Sequence, residues 1–444
     1  MQMVRARWAG LTGAGLVAFG GWPAWAQDAA PVADVIDKGN VAWMMTATLL
    51  VMAMLLPGVA LFYGGLVRAK NTLSVLMQTA TIAAVMMILW LLVGYSMAFG
   101  GSQSPFWGGF GKAFLNGVTP DTTAATFTEG SVIPEYVFIC FQMTFAAITG
   151  ALIIGSLVER VKFAALLAFI IGWALLAYFP IAHMVWDGAG LIFNWGALDF
   201  AGGTVVHINA AVAALVGAFV IGPRVGYMKE MMAPHSLPLA LVGAAILWVG
   251  WFGFNAGSAL SADNVAALAM INTFAAPAAA ILTWAGLEWV LRGKPSLFGG
   301  ISGMIAGLVA VTPAAGTIGP IGAMVIGVAG TLGAYYFVNI VKVKLGYDDS
   351  LDVFGIHGVA GIIGAIGTGI LTAPAFGGTG SADFAIASQT LTQIKAVALT
   401  VVWVGVVSFV LFKLIDMTIG LRVSRDDERA GLDIASHGET AYHL

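Results

Sequence analysis

The 444-residue chain contains 59% hydrophobic but only 9% charged residues, whereas a soluble domain has roughly 25% charged residues. This composition excludes an ordinary soluble protein and predicts a surface solvated mainly by lipid. The net charge of −3 gives no indication of a partner, but the lack of a basic patch argues against nucleic acid. The single cysteine, Cys140, excludes an intrachain disulfide.

The first 26 residues have the pattern of a secretory signal peptide. Arg5 and Arg7 precede an apolar run, and residues 24–26, Ala-Trp-Ala, form a small-x-small cleavage pattern. Cleavage after this tripeptide would leave 27–40 as a periplasmic N-terminal segment. The alternative is an additional anchor helix that is not removed.

Eleven later segments are apolar and long enough, or nearly so, to cross a bilayer as helices. They predict an all-α polytopic membrane protein with five-helix repeats at 41–222 and 237–372, joined by a cytoplasmic linker at 223–236. An eleventh, long helix at 388–421 and a cytoplasmic tail at 422–444 follow. Because each repeat has an odd number of spans, the second is inverted relative to the first, as in many transporters. The segments lie near 41–67, 72–100, 132–158, 163–184, 201–222, 237–256, 265–291, 297–312, 318–340, 351–372 and 388–421.

The distribution of Lys and Arg between these segments supports the predicted number of spans. If the N-terminus is outside, each inside loop carries two cations, whereas the outside segments carry only Lys38 and Lys112. This asymmetry follows the positive-inside rule and places the C-terminus in the cytoplasm. The inside loops carry Arg68 and Lys70, Arg160 and Lys162, Arg224 and Lys229, Arg292 and Lys294, and Lys342 and Lys344.

Two histidines lie within apolar segments at related places in the two repeats. Asp199 precedes His207 by eight residues, and Asp352 precedes His357 by five. The rise of a helix places the imidazoles about 12 Å and roughly 8 Å from opposite faces, so an inverted repeat can bring them together near the midplane. Ionisable groups inside a bilayer are functional candidates, and a hydrogen-bonding or proton-relaying pair is favoured. Two separately bonded core histidines are the alternative.

Other chemistry is less compatible with this pattern. A metal site needs three or four ligands, and no Cys, Asp or Glu has suitable spacing near these histidines, so neither a metal nor another cofactor is expected. The chain has no nucleophile–base pair, so no catalytic residues of an intramembrane enzyme are predicted. Asp199 is expected to cap the free N–H groups of the helix that follows it, which is a structural and electrostatic role. A role in attracting or orienting a cation is the alternative.

Five motifs carry a resemblance to a known family: GVALFYGG at 58–65, PIAHMVW at 180–186, DFAGGTVVHIN at 199–209, WFGFNAGS at 251–258 and VFGIHGV at 353–359. Together they resemble the ammonium transporter family, the Amt/Mep/Rh superfamily, and most closely its bacterial Amt branch. The resemblance implies a homotrimer in the bacterial inner membrane with one pore through each subunit. Its implied substrate is ammonium or ammonia.

The resemblance also implies roles for four side chains at the outer end of the pore. Trp186, Phe141 and Ser258 match the vestibule that recruits ammonium in the family. Phe141 and Phe254 match the stacked phenylalanines that close the pore. Potassium is similar in size to ammonium but cannot release a proton and cross an apolar constriction as a neutral molecule, so such a constriction is selective.

The inner part of the pore and the tail complete the resemblance. His207 and His357 match the family's twin histidines, which would hydrogen-bond ammonia or relay its proton. Residues 431–433 and 436–439 resemble the family's C-terminal region, which implies contacts with neighbouring subunits and a trimeric PII-family partner. An ammonium sensor and a neutral-gas channel for ammonia or carbon dioxide are the alternative functions of the same fold.

Overall fold

The computed structural model describes residues 35–124, 126, 128 and 130–442, so the predicted signal peptide lies outside the described residues. In this part of the chain every regular element is helical, and eleven helices are long and apolar enough to cross a membrane. The predicted all-α polytopic fold is therefore confirmed. The spanning helices are α1 (Lys38–Leu66), α2 (Ala69–Phe99), α3 (Glu135–Leu157), α4 (Phe163–Asn194), α5 (Gly203–Ile221), α6 (Leu237–Gly257), α7 (Asn264–Arg292), α8 (Leu297–Ala314), α9 (Pro320–Leu345), α10 (Phe354–Leu371) and α11 (Ile386–Thr418).

The helices differ in how deeply they are buried. The most apolar stretches of α3 and α8 are 83% buried and that of α5 is 78% buried, whereas that of α11 is only 22% buried. The core of the bundle therefore lies around α3, α5 and α8, and α11 packs at its periphery. Glycines allow close backbone approaches: a Cβ at Gly243 of α6 would lie 2.2 Å from the backbone N of Phe62 in α1.

A network of ion pairs joins the loops at one end of the bundle, called here the basic end and defined by Arg68, Arg160 and Arg224. The Nε of Arg224 lies 2.8 Å from Oδ2 of Asp348, and its Nη1 lies 3.2 Å from Oε2 of Glu159. Burial alone would raise the pKa of Glu159, but Arg224 and Arg68 hold it below its ordinary value. Arg160 is fully buried and donates to backbone carbonyls within the same network. These pairs fix the connections between distant helices.

The polar tail folds against the basic end of the same chain. After α11 come two short helices, α12 (Arg425–Ala430) and α13 (Leu432–His437). The Oε1 of Glu428 accepts a hydrogen bond of 2.5 Å from the backbone N of Val225. The Oδ1 of Asp433 accepts one of 2.8 Å from the backbone N of Ser74, near the start of α2. The tail is thus attached to helix α2 and to the loop between α5 and α6.

Candidate functional site

His207 and His357 meet in the interior of the bundle, where they are only 1% and 4% exposed. Their Nδ1 atoms lie 3.2 Å apart, and the ring planes are inclined by 20° with centroids 5.3 Å apart. A hydrogen bond between two imidazole nitrogens needs one donor and one acceptor, so at least one ring is neutral while this bond exists. The two histidines are therefore a directly bonded pair.

Both histidines lie in wide π-helical turns at the beginning of a spanning helix. His207 is in the turn Gly203–Ile208, and His357 is in the turn Phe354–Val359. The helices α5 and α10 begin at opposite ends of the bundle and bring their π turns together.

A buried carboxylate caps the start of α5, as expected from the sequence; α5 and α10, the two shortest histidine-bearing spans, are called here the half-helices of His207 and His357. The Oδ1 of Asp199 accepts from the backbone N of Gly202 and Gly203 at 3.0 and 2.6 Å, and Oδ2 accepts from Thr204 and Val205 at 2.8 and 3.1 Å. Burial raises the pKa of Asp199 to about 6, although the four hydrogen bonds favour the charged form. The carboxylate satisfies N–H groups that the start of a helix otherwise leaves free.

The matching cap of α10 is Asp349, so the pairing of Asp352 with Asp199 was wrong. Asp349 accepts from the backbone N of Val353 at 3.0 Å and of Phe354 at 2.8 Å. Asp352 has a left-handed backbone with φ of 59°, and its carboxylate pairs with Lys342 instead. One signal in the sequence identifies the correct residue: Asp349 precedes the second histidine by eight residues, the same spacing as in the first repeat.

Stacked aromatic rings lie next to the histidine pair, but Phe145 replaces Phe141 in the stack expected with Phe254. The centroids of Phe145 and Phe254 are 4.1 Å apart and their planes are inclined by 19°. Phe141 lies one helical turn away, 4.8 Å from Phe145, and its ring lies beside Gly257. Residues four apart share one helix face, so spacing alone does not select between them. The ring of Phe145 also meets Trp186 at 5.8 Å.

Trp186 and Ser258, the other residues expected at the outer end, are both buried at 5% exposure. The indole Nε1 of Trp186 donates to the backbone O of Asp199 at 2.9 Å. Trp186 lines an open cavity of about 470 Å³. The hydroxyl of Ser258 donates to the backbone O of Phe254 at 2.8 Å, which leaves its oxygen lone pairs available to a further donor.

A second cavity lies against the histidine pair, and its lining is almost entirely apolar. The cavity has a volume of about 10 Å³, enough for roughly one water-sized molecule. Trp251 lines this cavity and stacks on His207 with centroids 5.4 Å apart, a contact that the sequence motifs did not single out. Among the described residues, Nε2 of His207 has no hydrogen-bonding partner.

Eleven spanning helices, two half-helices entering from opposite ends, and a buried polar pair behind stacked aromatic rings define a membrane transporter or channel. Residues 42–442 match the model of the Ammonium Transporter Family, and the chain therefore belongs to that family. The expected family resemblance is confirmed.

Curated relatives and solved structures agree with this assignment. The ammonium transporter of Aquifex aeolicus is 46% identical over 92% of this chain and 94% of its own, and that of Bacillus subtilis is 45% identical over 92% and 99%. Among solved structures, a sensor Amt protein superposes with a TM-score of 0.82 at 26% identity, covering 90% of this chain and 98% of its own. Saccharomyces cerevisiae Mep2 has a TM-score of 0.79 at 32% identity, covering 88% of each chain.

Proposed function

We propose that this protein takes up ammonium nitrogen by binding NH4⁺ at the Trp186 end of the pore, deprotonating it at the stacked phenylalanines and conducting NH3 past the histidine pair. The observation that carries this proposal is the direct bond between His207 and His357 in an apolar interior behind the stack of Phe145 and Phe254. Membership in the ammonium transporter family supports the substrate.

Recruitment of the cation is assigned to Trp186, Phe141 and Ser258. The aromatic faces contribute roughly 0.5–2 kcal/mol of cation–π attraction each, which is available to any cation of suitable size. The Ser258 oxygen adds discrimination, because its own proton is donated to a backbone carbonyl and its lone pairs can accept an N–H of ammonium. Potassium has no N–H group, so this hydrogen bond favours ammonium.

The constriction is assigned to Phe145 and Phe254. Two stacked rings offer no hydrogen bond to replace the hydration shell of a cation, so a charged ion meets a large desolvation cost there. Ammonium avoids this cost by releasing a proton, whereas potassium cannot. The apolar constriction therefore selects by chemistry and not by size.

The histidine pair is assigned to the neutral part of the path. With Nδ1 of each ring engaged in the mutual bond, Nε2 of His207 is available to ammonia in the adjacent cavity. When Nε2 of His207 accepts the released proton, the proton in the mutual bond shifts to Nδ1 of His357 and the Nε2 proton of His357 leaves, so both rings stay neutral. The pair thus hydrogen-bonds ammonia and offers a route for the released proton.

Currents from the purified protein in liposomes test this function. A saturable inward current after an ammonium pulse, and none after a potassium pulse or in empty liposomes, is expected when the proton accompanies ammonia. Rapid internal alkalinisation without current would instead identify a passive ammonia channel. Ammonium binding without any flux would identify a sensor, and a potassium current of similar size would overturn the proposed selectivity.

We further propose that the protein is a homotrimer in the bacterial inner membrane, with a periplasmic N-terminus and a cytoplasmic C-terminus. The distribution of Lys and Arg supports this orientation, in which the basic end faces the cytoplasm. The proposed repeats, 41–222 and 237–372, correspond closely to α1–α5 and α6–α10. Labelling of single cysteines placed at either end tests the orientation, and the mass of the purified assembly tests the trimer.

The tail at the basic end is proposed to take part in binding a PII-family signalling protein. Its helices α12 and α13 are attached to the start of α2 and to the loop after α5 at the basic end, which supports a position at the cytoplasmic face. A pull-down with PII, using the full chain and a chain that ends before α12, tests the role of the tail. Equal binding by both chains would refute a tail requirement.

A further inference from the structure

One side chain of the peripheral helix α11 reaches into the core of the bundle. Gln393 is 2% exposed, and its amide uses both of its donors and its acceptor. The Oε1 accepts from the backbone N of Leu198 at 2.7 Å, and Nε2 donates to the backbone O of Leu198 at 2.7 Å and of Ala365 at 2.9 Å. The amide therefore bonds to both backbone groups of one residue, Leu198, and to the backbone of a second helix.

These partners adjoin the candidate site on two sides. Leu198 directly precedes Asp199, whose carboxylate caps the half-helix of His207 and whose carbonyl accepts the indole N–H of Trp186. The third bond of the amide reaches α10, the helix that carries His357. One side chain thus links the segment between the outer site and the first histidine to the helix of the second histidine.

We propose that Gln393 is a positioning residue for ammonium selection, which it supports by holding the Asp199 segment and α10 at a fixed separation. This inference rests on the proposed transport function. Displacements near 1 Å at a site that orients a substrate have large kinetic consequences, so the loss of this link is expected to alter substrate binding and discrimination. Its effect is distinct from anchoring α11, which has other contacts.

Those other contacts are extensive. Phe412 of α11 stacks on Phe169 with ring centroids 3.8 Å apart. The indole of Trp403, also in α11, donates to the backbone O of Leu176 at 2.9 Å. Helix α11 therefore remains packed on the bundle when Gln393 loses its hydrogen bonds, and the change is confined to the segment around residue 198.

The chemistry of the side chain explains why an amide serves here. Leu198 lies outside regular structure and is half-buried, so its N–H and C=O groups have no helical partners and bond to a side chain instead. Methionine has a similar length but offers no equivalent donors. Glutamate keeps the acceptor for the N–H of Leu198 but places a carboxylate against two carbonyl oxygens.

The variant Gln393→Met, reconstituted in liposomes, tests the inference. The two measurements are KM for ammonium and the ratio of ammonium flux to potassium flux, because neither depends on the amount of active protein. We expect KM to rise roughly fivefold to tenfold and the flux ratio to fall. Ser408→Ala is the matched control: Ser408 is a fully buried residue of the same helix whose hydroxyl has no partner among the described residues. Both quantities are expected to stay at the wild-type value in this control.

A Gln393→Met protein with reduced maximal flux but wild-type KM and wild-type flux ratio would overturn the inference and leave Gln393 a structural residue. If this variant does not fold, Gln393→Glu tests the same claim because it keeps the size and the acceptor and lacks both N–H donors; wild-type values there would also overturn it. Wild-type protein that passes no more ammonium than empty liposomes would refute the proposed function itself, which is a separate outcome.

Discussion

The two histidine half-helices have similar backbones but different electrostatic surroundings. At the start of α5, Asp199 accepts four hydrogen bonds from backbone N–H groups. At the start of α10, Asp349 accepts two backbone N–H groups and the hydroxyl of Ser156, next to the pair of Lys342 and Asp352. Among the described residues neither carboxylate forms an ion pair of its own, but Asp349 lies three residues from the pair of Lys342 and Asp352, whereas Asp199 has no such pair beside it.

The helix starts that carry His207 and His357 are therefore expected to respond to different changes. The raised pKa of Asp199 makes the first half responsive to acidification. In the second half, arginines surround the neighbouring Asp348 and hold its pKa below the ordinary range despite burial. The half-helix of His207 is therefore expected to respond to pH, whereas that of His357 is expected to respond to the removal of charges.

The largest effect is expected when the bond between His207 and His357, which joins the two helices, is removed. His207→Ala and His357→Ala each break the bond between the rings, so each is expected to lose at least roughly tenfold in ammonium flux or in selectivity against potassium. The double variant should be no worse than the worse single variant, because the residues act as a unit. Flux and current in liposomes measure both quantities.

His235→Gln provides the control, since His235 lies at the basic end, where its ring contacts the backbone O of Val67. Wild-type transport is expected for this variant. If both pore-histidine variants kept wild-type flux and selectivity, the paired-histidine mechanism would be wrong.

A smaller effect is expected at the constriction, and it separates Phe145 from Phe141. Phe145→Ala removes the ring stacked on Phe254, so potassium leak is expected to increase about tenfold. Phe141→Ala removes a ring one turn away and is expected mainly to raise KM for ammonium a few fold. Potassium-dependent current and ammonium KM distinguish the two variants. A larger leak in Phe141→Ala than in Phe145→Ala would return the gate to Phe141.

The fold was predictable from the sequence because lipid imposes long apolar helices, and because cations concentrate in alternate loops. The meeting of His207 and His357 was also predictable, since spacing places both imidazoles well inside the bilayer from opposite faces of an inverted repeat. Phe145 was missed for a physical reason: it shares a helix face with Phe141, and only the packing of α3 on α6 selects one ring.

Other features had weak or no local signals. Asp349 stands in a run of acidic residues, and only its equal spacing to the histidine distinguishes it from Asp352. Gln393 bonds to Leu198, which is 195 positions away in the chain. No periodicity or motif encodes a contact between a peripheral helix and an irregular segment, so that link required the structure.

A moderate effect is expected when Asp199 is neutralised. Protonation as pH falls through about 6 converts an acceptor oxygen to a hydroxyl, so KM for NH4⁺ is expected to rise severalfold in acid. Asp199→Asn should have a raised KM at every pH and lack this step. Because the folded-state pKa is raised above 3.8, the stability that this group contributes is present in acid and is lost as pH rises toward about 6.

Thermal unfolding and KM, both measured across this pH range, separate the two quantities. Relative to Asp199→Asn, the wild-type protein should lose stability as pH rises through the window and then stay level. If the KM of the wild-type protein changed with pH in the same way as the KM of Asp199→Asn, Asp199 would not titrate in this pH range.

The smallest effect is expected at Asp352 and sharpens the comparison of the two caps. Asp349→Asn leaves one oxygen for hydrogen bonds that now use two, so the free energy of unfolding is expected to fall by about 1–3 kcal/mol. Asp352→Asn removes only the partner of Lys342, which still donates to the backbone O of Asp349, so a loss of about 0–1 kcal/mol is expected. Ammonium flux of Asp352→Asn should stay within about twofold of wild type. If Asp352→Asn lowered both stability and flux more than Asp349→Asn did, the counterpart of Asp199 in the second repeat would be Asp352, the partner of Lys342, and not the cap Asp349.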